Sequence, residues 1–454
     1  MIDSPEPADC LTGTIAASYP YLLNVICWLP MKIYIKLVAF WLLVILTLPS
    51  LVSAQETFFV SPSGDDLADG SEDAPWRTMR FACVQLSPGD TLIVEDGEYL
   101  DEGTIQVRFR DPETFIFSPL LGDEDHRTEI RSRSGNSKIF GDIDIRGSFI
   151  SIIGLEVIGD GESNPAGIGA FESTEIGIFN NVVHNHGGCG ILMFQCDFVE
   201  ISDNTIFDNA GTNPLQHSGI SIFQPIVRTL DGNLTEGAPI SEQISRRIGI
   251  KIQDNTCFDN ENFVPNSAGI VTDGNGIIVD DYLYTQENDT LLAASAGFGS
   301  PFGFAGTPMI DTDEDGEFVP YARWTLIDNN VAFQNGGRGI HSFLATKVII
   351  SRNFCLGNLQ SQALQDSMFR NDDGELNFLN SEISLSESDN CFVVLNIGAS
   401  FEAEKAAASE VFFFFAPENG ISTNHWRNNF FINTADPDDT LSVLGAESTL
   451  LPTP

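Results

Sequence analysis

Hydrophobic positions in this chain alternate in short runs, and the runs recur in a fixed order. Five segments share a glycine, an isoleucine, a variable residue, a small or apolar residue and a bulky one: 167–171, 190–194, 219–223, 276–280 and 339–343. A second alternating run, closing on asparagine, follows each: Ile178 to Asn181, Ile201 to Asn204, Ile252 to Asn255, Ile327 to Asn330 and Ile350 to Asn353. From glycine to asparagine is 14 residues in the first, second and fifth units, and Asn181 to Asn204 and Asn330 to Asn353 are both steps of 23. Alternation with period two predicts strands. A repeat this short has no room for a helix pair, so each unit is one coil of a solenoid. The fold class predicted is all-β, a right-handed parallel β-helix.

In such a stack neighbouring strands lie about 4.8 Å apart, and like residues sit on like. Ile168, Ile191, Ile220, Ile277 and Ile340 then form one core column. The asparagines form a turn column in which each amide bonds the coils on either side. The repeat is recognisable from about residue 141 to 435, with a tail at 436–454. Phe149 to Asp160 aligns with Phe198 to Asn209, with Leu155 in the asparagine position. Residues 55–140 do not follow the motif and read as an N-terminal cap and first coils. A short amphipathic helix is expected within Pro75 to Leu86, because an open solenoid end must be covered. Two units are lengthened at the same corner: Gly219 to Asn255 takes 36 residues and Gly276 to Asn330 takes 54. The two long inserted loops this implies span 225–246 and 285–323, and loops on a rigid scaffold commonly carry binding.

Composition narrows the setting. The chain has 22 basic and 64 acidic residues, a net charge of −42. That excess disfavours nucleic acid or an anionic membrane as partner and makes copies repel one another, so a monomer is expected. Met31 to Ala54 has the form of a secretory signal: Lys32 and Lys36, an apolar stretch from Leu37 to Leu48, and Val52-Ser53-Ala54 before Gln55. Residues 1–54 therefore read as an upstream extension plus signal, with the start at Met31. The mature protein is expected outside the cell, without a membrane anchor. Six cysteines remain after Ala54. Cys257 and Cys355 fall in a core column two coils apart, too far for a bridge; a Cys189–Cys196 pair stays open.

The cap, the Gly-Ile and Asn columns and the 23-residue step, together with Phe59-Val60-Ser61-Pro62-Ser63-Gly64 and Pro88-Gly89-Asp90-Thr91, resemble the secreted β-helix proteins of the pectin/pectate-lyase-like superfamily. The resemblance covers about 55–435. It implies an extracellular polysaccharide as partner and, among several activities, β-elimination on a uronate polymer. Non-catalytic adhesins and glycoside hydrolases share the fold, so chemistry must come from the site.

The columns offer one. With the isoleucines inward, the residues two and four after each glycine face outward. The fourth reads Phe171, Phe194, Phe223, Asp280, Phe343, an aromatic column broken by an acid. The second reads Gly169, Leu192, Ser221, Ile278, His341. Strand spacing sets the Asp280 and His341 backbones about 8 Å apart. Asp281 adjoins, Arg338 stands three residues before His341, and His217 precedes the neighbouring strand. Asp280, Asp281, Arg338 and His341 are the candidate catalytic residues, with His217, Phe223, Gln224 and Phe343 binding substrate. By the resemblance, Asp280 and Asp281 would hold calcium or sugar hydroxyls, and His341 or Arg338 would be base or carboxylate clamp. Paired carboxylates would serve a hydrolase instead. In the second insertion Asp311, Asp313 and Asp315 match the first half of an EF-hand loop, without the closing Glu, and are the candidate calcium ligands.

Overall fold

A computed structural model of the chain describes residues 55–110, 116–162, 164–227, 248–266, 269–282, 321–367, 380–401, 405–411, 423–433 and 441–444. These residues form the expected parallel β-helix. One coil shows the plan: Cys189–Phe194 lies in a first sheet, Asp197–Ser202 in a second and Thr205–Phe207 in a third. Each strand pairs in parallel with its counterpart one coil away, Ile191 with Ile220, Ile201 with Ile252 and Ile206 with Cys257.

The register makes the core. The column Ile168, Ile191, Ile220, Ile277, Ile340 and Ile383 is aligned and fully buried. Cys257, Ala332 and Cys355 align in the third sheet, also buried. All six cysteines from Cys83 to Cys391 are free thiols, including Cys189 and Cys196.

The turn between second and third sheets carries the asparagine ladder. Asn181 Nδ2 donates to Asn204 Oδ1 at 3.0 Å, and the chain continues through Asn255, Asn330, Asn353 and Asn396 to Asn429. It starts where the Leu155 amide donates to Asn181 Oδ1, so Leu155 is the first rung that cannot extend it. A second ladder runs through the next turn: Asn209, Asn260, Asn335 and Asn358, ending on the buried carboxylate of Glu382. It explains the motif glycine. A Cβ on Gly339 would lie 2.8 Å from Asn358 Nδ2 and 2.9 Å from Cys355 Sγ, so no side chain fits there. His186 heads this ladder, its amide donating to Asn209 Oδ1, which makes it a turn residue.

At the N-terminal end the first coils precede the motif, and the cap helix is shorter than expected. Thr57–Val60 and Thr91–Val94 already stack on the second sheet, so coil geometry begins well before the motif does. The cap helix is only Met79–Ala82, because Trp76 is drawn into a bridge with Val60 and cannot join the helix. Thr78 Oγ1 accepts the Phe81 amide, and Glu102 accepts those of Met79 and Arg80. A second short helix covers Gln362–Ser367. Among the described residues no helix is long and apolar enough to cross a membrane. The signal segment falls on residues 1–54, outside the described residues.

The strands that flank the two insertions are in register: Phe223 aligns with Asp280 before them and Ile248 with Trp324 after them. The second is pinned where it begins and ends. The Tyr321 amide donates to Tyr282 O, the two rings meet edge-on at 5.5 Å, and Tyr321 Oη donates to buried Asp197 at 2.6 Å. Arg323 Nε adds 3.0 Å to the same carboxylate.

Candidate functional site

The outer side of the first sheet carries the residues singled out by sequence. Phe171, Phe194 and Phe223 align, with ring centroids 6.4 and 5.7 Å apart, before Asp280 takes the next place and Phe343 the one after. His341 aligns with Ile278 on one side and Ser384 on the other. The two columns therefore stand as read, and Asp280 and His341 belong to adjacent strands.

Asp280 and Asp281 diverge. Asp281 is fully buried at a corner position with φ of 53°, the left-handed conformation shared by Gln195 and Gln224 in the preceding coils. Its carboxylate accepts a 2.7 Å hydrogen bond from Gln224 Nε2. Gln224 is thus a corner partner of Asp281, and the two adjacent carboxylates do not form the facing pair a hydrolase requires.

His341 is buried, and its ring lies 5.8 Å from that of Phe343. Burial first, and the Arg338 charge second, hold its imidazole well below the ordinary histidine range, so it is neutral. Arg338 is also buried. Its amide donates to Asn275 Oδ1 and its Nη1 to Thr272 O, both at 2.8 Å. It faces Asp273, which sequence reasoning passed over because it lies in a turn of variable length outside the repeat register. Asp273 accepts from Asn275 Nδ2 at 2.9 Å, and burial pushes its carboxyl up to about 6 against the pull of Arg338.

His217 meets a thiol rather than an acid. Cys189 Sγ lies 2.8 Å from its Nδ1 and 3.2 Å from Ser221 Oγ. Its carbonyl accepts from Gly274 N and from Asn262 Nδ2, both at 2.9 Å. From Cys189 to Ser384 these groups form one polar row across successive coils. Four side chains in it, each at least nine-tenths buried, keep a polar atom without a hydrogen-bond partner: His217 Nε2, Asn262 Oδ1, Arg338 Nε and His341 Nδ1. Each such atom costs about 1–3 kcal/mol. The sequence signal for the row was the run of polar residues just before the glycines, which alone cannot be told from ordinary turn chemistry.

Asp311, Asp313 and Asp315 lie outside the described residues. Among the described residues no group of three or more His, Cys, Asp or Glu side chains is placed to hold a metal ion. A cavity of about 650 Å³ lies elsewhere, on the second sheet, lined by Arg127, Glu175, Phe179, Glu200 and Lys251 among others. Its charges are already paired, Arg127 with Glu175 and Lys251 with Glu200.

The coils, the ladders and the strand order define a parallel β-helix protein. No family model matches the chain, and no curated protein matches it. Solved structures similar to it include pectate lyase Pel9A, at 10% identity and a TM-score of 0.37, over 87% of this chain and 78% of that one. A complex of XylC with xylose gives 11% and 0.44, over 83% and 70%. The periplasmic alginate epimerase AlgG gives 10% and 0.37, over 80% and 71%. Likeness at this level concerns architecture, not chemistry.

Proposed function

We propose that the protein is a secreted carbohydrate-active enzyme that cleaves a uronate-containing polysaccharide by β-elimination on the outer side of the first sheet. The observation that carries this reading is the pairing of Arg338 with His341, a buried cation beside a buried neutral imidazole, each with an unpaired nitrogen. β-Elimination needs both. A cation must neutralise the uronate carboxylate, and a base must take the C5 proton. In this scheme the carboxylate binds Arg338, and Nδ1 of His341 takes the proton. The C5 electron pair forms the C4–C5 double bond, the C4–O4 bond breaks, and the leaving oxygen takes a proton from water. Substrate also tunes the base. A carboxylate on Arg338 offsets the charge that helps depress the His341 pKa, so its basicity rises when substrate is bound.

The test is a panel of uronate and neutral polysaccharides, followed by the ultraviolet absorbance of the unsaturated product, with and without calcium. Absorbance from a uronate polymer supports the reading. Reducing ends without absorbance would indicate hydrolysis. The burial of Arg338 and His341 favours one competing reading, a non-catalytic extracellular β-helix in which this row is scaffolding; binding without any cleavage would support it.

A further inference from the structure

The outer side of the third sheet changes character along the solenoid. In the middle coils the flanking turns are acidic, with Asp203 and Asp254 before the first-ladder asparagines and Asp208 and Asp259 before the second. Farther on, the first set becomes Asn329, Arg352, Leu395 and Asn428, and the second becomes Gln334 and Gly357. Among these turn residues the one charge is Arg352, which is paired with Asp328. Between these turns Val331, Phe354, Ile397 and Phe430 stand in one register column on the outer side. Phe354, Ile397 and Phe430 are 36, 41 and 60% exposed, and Leu395 and Phe401 beside them are each 54% exposed.

We propose that this face joins two copies of the chain, face to face about a two-fold axis. Five large apolar side chains at these exposures present on the order of 500 Å². That is near the upper end of patches on monomers, about 300–600 Å². The apolar part alone is smaller than the roughly 800 Å² per partner of a standard interface, so the association is a weak one that depends on concentration. Charge selects the occupant. Two chains of net charge −42 repel wherever their acidic surfaces meet. Among the described residues of these turns and strands they bring no exposed carboxylates together. A two-fold axis lays a patch on itself, which an apolar column tolerates and a charged one does not. A cationic partner would choose the acidic middle coils instead. Net charge alone predicts a monomer; the apolar face outweighs it where the charge is missing.

The experiment is the solution mass of the secreted full-length protein, by sedimentation or light scattering, across concentration and salt. Mass should rise toward twice the monomer with concentration. Added salt should strengthen association, because it screens the repulsion between acidic bodies without weakening an apolar contact. Phe430→Asp and Ile397→Asp should each raise the dissociation constant at least about tenfold with melting unchanged, since both side chains are solvent-facing. Leu67→Asp, an exposed apolar position in the cap, should change nothing. A monomer at every concentration and salt, or a dimer indifferent to both aspartates, overturns the proposal. Phe430→Ser provides the same reading without a new charge should an aspartate variant not be secreted.

Discussion

Cys189 Sγ and His217 Nδ1 lie 2.8 Å apart, and both are buried. Burial drives them toward neutrality from opposite directions: the thiol is pushed up to about 12 and the imidazole down to about 4. The contact is therefore a thiol–imidazole hydrogen bond, not a thiolate–imidazolium pair. The thiol also donates to Ser221 Oγ at 3.2 Å, and Nε2 of the ring is left without a partner. The contact fixes the orientation of a ring facing the polar row.

A neutral, buried thiol is a poor nucleophile. None of the six cysteines from Cys83 to Cys391 should react with a thiol reagent under native conditions, and all six should react after unfolding. Reducing agent should leave the melting temperature unchanged. Fast native labelling of Cys189 would mean a thiolate and would reverse the protonation states given above.

The ladder asparagines should dominate point-mutant stability. The Asn255 amide donates to Ile201 O, Gln253 O and Asn330 Oδ1, and its oxygen accepts the Asn204 amide and side chain. Asn255→Ala strands several buried groups at once and should cost about 2–4 kcal/mol. The neighbouring Asp254→Gly, at a position with φ of 57°, should be close to neutral. Chemical denaturation of the two variants checks the contrast.

Much of this was legible in the sequence. The Gly-Ile and Asn columns fixed the register of the middle coils, because stacked coils force chemically like residues into alignment. Cys257 over Ala332 over Cys355 followed from spacing alone. What was hidden depended on turns of variable length. Asp273 lies in one, so no column pointed to its Arg338 neighbour. The second ladder, Asn209 to Asn358, ends on Glu382, which breaks the asparagine pattern. Asp281 was paired with Asp280 by adjacency, but its left-handed corner backbone turns it into the bond with Gln224.

Acid sensitivity has a defined sign. His217 and His186 are held near 4, below the ordinary 6.5, so the folded state binds their protons less readily than the unfolded chain. Their contribution is complete above 6.5 and is lost as pH falls toward 4. Asp273, raised from 3.8 to about 6, works oppositely: its contribution is complete below 3.8 and is lost as pH rises through about 6. Between neutral pH and about pH 4 the buried histidines, His341 included, lower stability as they are protonated, and Asp273 opposes them. His217→Gln should narrow the difference in denaturation midpoint between those pH values, and Asp273→Asn should widen it. Equal differences in all three proteins would remove both assignments.

Calcium is expected to act through the acidic run from Asp311 to Asp315. A ligand that binds only the native state raises its melting temperature. Adding calcium should do so, and Asp313→Ala should blunt the rise while leaving the calcium-free melting curve in place. A curve that calcium does not move would leave the run as an acidic turn.

The site itself is tested by variants that separate clamp from base. His341→Gln keeps a polar side chain in a buried place but removes the imidazole. If His341 takes the C5 proton, turnover should fall by about 10²–10⁴-fold, with KM little changed. Arg338→Lys keeps the charge but loses the planar guanidinium that bonds Thr272 O, so KM should rise as well. Asp280→Asn removes the acid from the aromatic column without changing its size, and it should lower activity while melting stays the same. The pH profile of kcat/KM distinguishes a base from a structural prop. In the wild type it should reach its plateau well below the ordinary histidine pKa, because Arg338 and burial depress that of His341. Arg338→Gln removes that charge and should shift the acidic limb to higher pH. An unshifted limb, or loss of melting stability in proportion to loss of activity, would assign the row to scaffolding.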